Sequence, residues 1–230
     1  MVKTRPQHRT IPHLENGDKL TRYEFERRYN AMRNLKRAEL IEGIVYIMPA
    51  ALRFRSHGQP HGWILTWLGT YEVATPGVAL GVEPTVRLDL DNEPQPDAVL
   101  LINPEAGGQA RLSEDDYIEG APELIVEIAA SSVAIDLHAK KQADRRNAVK
   151  EYIVWQVLDQ KLSWFYLEEG EYLELATDSN GILQSLVFPG LWLRVTDLLA
   201  GNMQTVLTIL QAGLESPEHA AFVQKLADLG

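Results

Sequence analysis

The residue whose type and position most clearly indicate a chemical role is Glu127, which lies inside the apolar hexapeptide Leu124–Ala129. A near-continuous apolar run of this length is typical of a strand that is buried on both faces of a sheet. An unpaired carboxylate buried there costs several kcal/mol, so this glutamate must be protonated, paired or bound to a cation. The alternative is a glutamate at the end of a strand, facing solvent.

A second carboxylate, Asp97, follows Pro96 and precedes another apolar run, residues 98–102. An aspartate after a proline is commonly only a turn residue. If the two strands are neighbours, however, Asp97 and Glu127 supply the ligands that Mg²⁺ prefers, because this ion is held by one or two carboxylates together with waters and substrate phosphate. The pair therefore predicts a metal site.

Lys140 lies in a helix-compatible segment that directly follows the Glu127 strand. A lysine one turn into that helix could reach back toward the carboxylates. Its compact ammonium group would then neutralise charge on a phosphate or orient an attacking water. Without the other residues, Lys140 would be interpreted as a solvated helix lysine, because most lysines are exposed.

The elements that must position these residues alternate between strand and helix, which predicts an α/β fold. Strands are predicted within 38–50, 78–90, 98–102, 124–129, 152–157, 162–167 and 172–175, and helices within 58–71, 133–149 and most of 195–230. The polar segment 1–17 is expected to be a flexible N-terminal arm. The main domain is then expected over 18–200, with a C-terminal helical extension over 201–230.

The composition of the chain excludes several classes of active site and partner. The 230-residue chain has no cysteine, which excludes thiolate zinc sites and a cysteine nucleophile. No stretch approaches the roughly 18 apolar residues that span a bilayer, so we expect no membrane partner and a cytoplasmic location. The formal net charge of −10 argues against nonspecific binding to nucleic acid, although basic residues concentrate within 22–37 and 138–150 and could form a local binding surface.

Several segments together resemble the Uma-two-like endonuclease family of the PD-(D/E)XK nuclease superfamily, over roughly residues 40–199. The matching segments are Glu39-Leu40-Ile41-Glu42-Gly43, His61, Pro96-Asp97, Gly120-Ala121-Pro122-Glu123-Leu124-Ile125-Val126-Glu127, Asp136-x-x-x-Lys140 and Val149-Lys150-Glu151-Tyr152.

The resemblance implies a restriction-endonuclease-like mixed β-sheet flanked by helices, with Asp97 and Glu127 as metal ligands. It also implies that the catalytic lysine has moved to Lys140, because position 129, where the superfamily's E-x-K pattern places lysine, is alanine. Glu42 is a candidate for the superfamily's first-helix acid, although it lies in a strand-like segment here.

The chain also departs from the family's pattern. Ala130-Ser131 replaces serine-proline, Asp144 a tyrosine, Ala148 a glycine and Gln156 an aspartate. None of these positions is an expected metal ligand. They leave open the alternative of a catalytically inactive relative, because a fold alone does not determine function.

Two pairs of residues spaced four apart remain. His57 and His61 would share a helix face, but the intervening Pro60 argues against a zinc site. Lys141 and Arg145 are interpreted as a nucleic-acid-binding stripe that faces phosphates, or simply as a solvated helix face.

We therefore predict an endodeoxyribonuclease that depends on Mg²⁺ or Mn²⁺ and hydrolyses DNA phosphodiester bonds, with Asp97, Glu127, Lys140 and Glu42 as catalytic residues. Because both strands of DNA must be cut, a homodimer is expected, with the apolar segment 203–214 as a possible interface. The main alternative is an inactive nuclease-fold module that binds nucleic acid or protein. A third is a purely structural partner protein whose interface uses Trp164, Phe165, Tyr166 and Trp192.

Overall fold

The computed structural model describes residues 11–48, 53–130 and 135–230, and the side chains from residue 138 onward in the last range. The strands are β1 (Ala38–Ile41), β2 (Ile44–Ile47), β3 (Val78–Val82), β4 (Val86–Arg87), β5 (Ala98–Ile102), β6 (Arg111–Leu112), β7 (Ile118–Glu119), β8 (Leu124–Ala129), β9 (Glu151–Gln156), β10 (Lys161–Glu168), β11 (Glu171–Glu174), β12 (Leu183–Gln184) and β13 (Trp192–Leu193). The helices are α1 (Arg22–Ala31), α2 (Gln59–Ala74), α3 (Lys141–Arg146), α4 (Val195–Leu199), α5 (Met203–Leu214) and α6 (Pro217–Leu229).

A six-stranded mixed sheet in the order β11-β10-β9-β8-β5-β3 forms the centre of the described chain. Strands β8 and β9 run parallel, and the other four neighbouring pairs run antiparallel. The fold is therefore an α/β fold with a mixed sheet flanked by helices, as predicted. The apolar sequence of β8 places it in the interior of the sheet, where all six of its residues are buried.

The two faces of the sheet bury different clusters because successive side chains of a strand point to opposite faces. Val126 and Leu100 belong to the larger cluster, which is covered by α2 and the C-terminal helices. Ile125 and Val99 belong to the smaller cluster on the other face. Asp97 and Glu127 have the same parity as Ile125 and Val99, so their side chains lie on the face of the smaller cluster.

The N-terminal part of the chain builds a small third cluster against the β1–β2 hairpin. Leu14 and Phe25 pack there with Leu40 and Val45. The Gly17 N–H also donates a 2.8 Å hydrogen bond to the carbonyl of Val45. Residues 14–17, which the sequence predicted to belong to a flexible arm, are therefore packed against the hairpin, whereas residues 1–10 lie outside the described residues.

The C-terminal helices share the main core. Val206 and Leu210 of α5 and Leu226 of α6 are buried in the larger cluster. A Cβ atom on Gly213 would lie 2.2 Å from the carbonyl oxygen of Gly190, so the two backbones meet without room for a side chain. The predicted extension over 201–230 thus packs as part of the same unit, and the apolar side of α5 faces inward. Among the described residues, every helix is too short or too polar to span a bilayer.

The segment after β8 differs from the long helix predicted over 133–149. A π-helical turn, Ile135–Lys140, leads into the short helix α3, and residues 133–134 lie outside the described part of the chain. The helix ends early because Ala148 has a φ of 64°, which no α-helix accommodates. This left-handed conformation also explains why the family that the sequence resembles has a glycine at this position.

A buried carboxylate fixes the loop before β13. Glu151 at the start of β9 accepts hydrogen bonds from Ser185 Oγ (2.7 Å), the Leu186 N–H (2.7 Å) and Trp164 Nε1 (3.2 Å). Burial raises the pKa of Glu151 to about 7, although these hydrogen bonds oppose the shift. Trp164 and Phe165 are themselves buried in the sheet, so these two aromatic residues are not available for the interface considered above.

Candidate metal centre

Asp97 and Glu127 come together at adjacent ends of two antiparallel strands. Ala98 of β5 pairs with Val126 of β8, so extending the register by one residue sets Asp97 opposite Glu127. Residues directly opposite each other in an antiparallel pair have neighbouring side chains on one face. Both residues are only 3% exposed. The two carboxylates that the sequence singled out therefore occupy one buried place.

The carboxylate of Asp97 is held by the backbone. Its Oδ2 accepts a 2.6 Å hydrogen bond from the N–H of Ile128. Its Oδ1 is buried and has no hydrogen bond among the described residues. Two basic groups lie near Oδ1, namely His57 Nε2 at 3.4 Å and an Arg37 guanidinium nitrogen at 3.7 Å. One oxygen of Asp97 is thus fixed in place, while the other remains available as an acceptor.

Lys140 reaches Glu127 from the π-helical turn that precedes α3. Its Nζ lies 3.0 Å from Glu127 Oε1 and 2.9 Å from Glu39 Oε2, and the residue is 3% exposed. An ammonium group is buried at this depth only when carboxylates surround it, because its desolvation is otherwise too costly. The structure therefore brings Lys140 into the carboxylate cluster, where the sequence predicted it.

Glu39 is the member of the cluster that sequence reasoning missed. It lies in β1, is fully buried, and accepts a 2.9 Å hydrogen bond from the Gln95 N–H in addition to its contact with Lys140. Its sequence signal was present, since it opens the Glu39–Gly43 motif of the family resemblance.

Glu42, by contrast, is not brought into this cluster. It occupies the two-residue turn of the β1–β2 hairpin with Gly43, and both have positive φ (55° and 72°), which is the conformation of a type I′ turn. Its side chain is 43% exposed and pairs with Arg146. The position of Glu42 thus gives no support to its role as the acid of this site, whereas Glu39 contacts Lys140 there.

Arg37 supplies a second positive charge beside the carboxylates. Its guanidinium lies 3.5 Å from Glu39 Oε1 and hydrogen-bonds the carbonyl of Gln95. Burial opposes its charge, but Glu39, Asp97 and Glu127 outweigh this effect and raise the pKa of Arg37. Arg37 therefore stays charged and compensates part of the negative charge of the site.

His57 and His61 lie next to the same cluster, together with Glu83. One ligand atom from each of the three lies within 4.8 Å of the other two. Pro60 does not separate the histidines, since it occupies the second position of α2, where a missing N–H costs nothing, and a π-helical turn, Phe54–Gly58, precedes it. The two imidazoles therefore lie close together despite Pro60, and the expectation that they hold no zinc stays a prediction.

Lys141 and Arg145 are engaged within the protein. The ammonium of Lys141 lies 3.2 Å from the centre of the Phe165 ring, and partial burial lowers its pKa. Arg145 pairs with Glu171 at 3.1 Å. Both cations therefore contact the β10–β11 hairpin, and their role in binding nucleic acid stays a prediction.

Two described positions that depart from the family pattern, Asp144 and Gln156, are buried near the end of the segment that contains Lys140 and at the end of β9. Asp144 lies in α3, in place of the usual tyrosine. The nearby Tyr172 hydroxyl donates a 2.8 Å hydrogen bond to the carbonyl of Val149, and desolvation, followed by the charge of Asp144, raises its pKa. Neither Asp144 nor Gln156 replaces one of the clustered carboxylates.

Comparisons with known proteins agree with this architecture. The solved structure of "a putative nuclease belonging to DUF820 from Anabaena variabilis ATCC 29413" is similar, with a TM-score of 0.50 and 14% identity over 71% of this chain and 89% of that one. At this identity the likeness shows the fold alone. A search of curated proteins found no match. The model of the Uma2 family, described as "Putative restriction endonuclease", matches residues 22–196. The chain therefore belongs to the Uma2 family.

Proposed function

We propose that this protein is an endonuclease that hydrolyses DNA phosphodiester bonds with a divalent metal ion, Mg²⁺ or Mn²⁺, held by Asp97 and Glu127. The observation that carries the proposal is the direct opposition of these two buried carboxylates, with the Lys140 ammonium 3.0 Å from Glu127. Membership of a family described as restriction endonucleases supports the reaction class.

The residues present fit such an ion. Asp97 Oδ1 is a buried carboxylate oxygen without a hydrogen bond among the described residues, which is an unfavourable state that a cation would relieve. Carboxylate oxygens are the donors that Mg²⁺ and Mn²⁺ prefer. When bound, the ion would lower the pKa of a water molecule and stabilise the charge that develops on the phosphate.

The protein's own groups have separate tasks in this proposal. The Ile128 N–H holds Asp97 Oδ2 at 2.6 Å and so fixes the direction of Oδ1. Lys140 bridges Glu127 and Glu39 and so fixes the carboxylate of Glu127. Its ammonium also places a positive charge where the phosphate of the substrate would lie, which favours the more negative transition state.

An acidic protein needs a local basic surface to approach DNA. Arg53 and Arg55 are exposed and lie just before His57, whose imidazole faces Asp97. Arg33 and Lys36 are also exposed and lie just before Arg37 in the sequence, whose guanidinium also lies near Asp97. We propose these four residues as contacts for the phosphate backbone, in preference to Lys141 and Arg145, whose charged groups contact the protein itself.

A plasmid-nicking assay with Mg²⁺ or Mn²⁺ tests the proposal. Asp97→Asn and Glu127→Gln keep the shape of each side chain but remove its charge, and each is expected to reduce the nicking rate by about 100-fold or more. Asp228→Asn, an exposed aspartate in α6, serves as the matched control and should nick like the wild type. Full activity in both site variants would reject the site, whereas salt-dependent DNA binding without any cleavage would favour the inactive module.

We also propose a homodimer in the cytoplasm, because cleavage of both strands calls for two sites. We do not assign the interface to the apolar residues of segment 203–214, since Val206, Leu210 and Gly213 are buried in the protein's own core. Light scattering of the full chain measures this directly. A monomer at concentrations where both strands are cut would contradict the dimer.

A further inference from the structure

We propose that His57, His61 and Glu83 form a second metal site, which takes a divalent transition-metal ion such as Zn²⁺ or Co²⁺ in preference to Mg²⁺. This site is separate from the Asp97 and Glu127 pair, although it lies beside it. Two imidazoles and one carboxylate are donors that suit zinc and cobalt, and the three leave room for a further ligand.

The spacing of the three side chains suits a single ion. Their ligand atoms lie within 4.8 Å of one another, and the two imidazole centres are 5.6 Å apart. Tetrahedral ligands that bind zinc at about 2.1 Å lie about 3.4 Å from one another, so binding requires the most widely spaced pair to close by up to roughly 1.4 Å. Glu83 can make this shift because its side chain is exposed and carries several rotatable bonds.

Two of the three residues, Glu83 and His61, are positioned by one backbone carbonyl, that of Asp97. The N–H of Glu83 donates a 3.2 Å hydrogen bond to the Asp97 carbonyl oxygen, and His61 Nε2 lies 3.0 Å from the same oxygen. A carbonyl oxygen only accepts, so Nε2 of His61 carries the proton and Nδ1 keeps its lone pair. A histidine that donates its second ring N–H to a backbone carbonyl is the usual arrangement around a bound metal.

A further observation concerns His57 itself. Its Nε2 atom is buried, makes no hydrogen bond with the described residues and lies 3.4 Å from Asp97 Oδ1. Buried polar atoms of native proteins nearly always have a partner, so an imidazole nitrogen in this state is a donor atom that a cation would satisfy.

Arg37 is the group with which an ion must compete. Its guanidinium lies 3.4 Å from Glu83 Oε1 and 3.7 Å from Asp97 Oδ1. Binding of an ion would release Glu83 from Arg37, which keeps its contacts with Glu39 and the carbonyl of Gln95.

A titration of the full chain with Co²⁺, followed by visible absorption and calorimetry, tests the site without any assay of activity. The wild type is expected to give ligand-field bands that saturate with one ion and disappear when Zn²⁺ is added. His57→Ala, His61→Ala and the conservative Glu83→Gln should each weaken this binding at least about tenfold. His13→Ala, an exposed histidine outside the group, is the control and should bind like the wild type.

Glu127→Gln separates this proposal from the proposed nuclease. It should abolish nicking but leave the cobalt bands unchanged. Absence of saturable bands in the wild type, or bands that persist in all three variants of His57, His61 and Glu83, would overturn the second site whatever the nicking assay shows. Because Glu83 is exposed, loss of binding in a Glu83→Gln protein that melts like the wild type cannot be attributed to misfolding.

Discussion

Replacement of Lys140 by methionine gives the sharpest test of the buried cluster. The substitution keeps the length of the side chain but leaves Glu39 and Glu127 without the ammonium that lies 2.9 to 3.0 Å from each of them. Removing one partner of a buried ion pair costs about 3–5 kcal/mol, because the remaining charge stays desolvated. For a chain of this size the expected loss is therefore about 6–20 °C in melting temperature.

The loss should depend on pH with a definite sign. Without the ammonium, burial and mutual repulsion disfavour the ionised form of the two facing carboxylates in the folded variant. The folded variant then binds more protons than the unfolded chain, so its stability falls as pH rises. The difference between Lys140→Met and wild type should therefore be larger at about pH 8 than at about pH 5.

Urea denaturation at the two pH values measures this difference. Adding Glu127→Gln to Lys140→Met should recover part of the lost stability, since it removes one of the two facing charges. Lys225→Met, at an exposed position of α6, is the control and should change the free energy of unfolding by less than about 0.5 kcal/mol. If Lys140→Met matches this control, or if its loss is the same at both pH values, the cluster does not depend on the ammonium as argued.

The remaining predictions concern the stability of the fold and the surface that binds DNA. Glu151→Gln should lower the free energy of unfolding by about 1–3 kcal/mol, because the amide NH₂ of glutamine must face hydrogen-bond donors. The raised pKa of Glu151 makes the wild type lose stability between about pH 5 and about pH 8, and the variant should show less of this loss. Urea denaturation at both pH values measures the two effects. Gly213→Ala should cost about 2 kcal/mol or more in urea denaturation, since its Cβ meets backbone, whereas Gly62→Ala in open space within α2 should stabilise by about 0.5–1 kcal/mol. The double variant Arg53→Gln/Arg55→Gln should reduce the slope of log affinity for DNA against log salt by up to about 2, measured by fluorescence anisotropy; an unchanged slope would show that DNA binds elsewhere.

The sequence was sufficient for the sheet because its strands carry strong local signals. The apolar run of β8 and the run after Asp97 predicted two buried strands, and their adjacency follows from the family resemblance. The choice of Glu42 as a site residue was not supported because a local backbone turn decides which glutamate is buried. Glu42 and Glu39 are indistinguishable as sequence letters, and only the type I′ turn at 42–43 sends one outward while the other points into the core.

His57 and His61 are a second case in which local backbone geometry could not be predicted from the sequence. Pro60 breaks a helix when it lies in the interior, but at the second position of α2 it is harmless, and the π-helical turn before it brings His57 near His61. The boundary of a helix within two residues is the least predictable feature of a sequence. The grouping of His57, His61 and Glu83 depends on that boundary, so it could not be predicted before the structure.

The position of Lys140 in the chain explains how the charges of the three buried carboxylates are balanced. Position 129 lies on the same face of β8 as Glu127, but Ala129 is fully buried there among the apolar residues of the smaller cluster. Lys140 enters from a separate element and bridges Glu127 to Glu39 on the hairpin, so one ammonium serves two carboxylates. When ionised, the carboxylates of Asp97, Glu127 and Glu39 outnumber the cations of Lys140 and Arg37 by one. A divalent ion would turn this excess into a single net positive charge, which would attract the single negative charge of a phosphodiester.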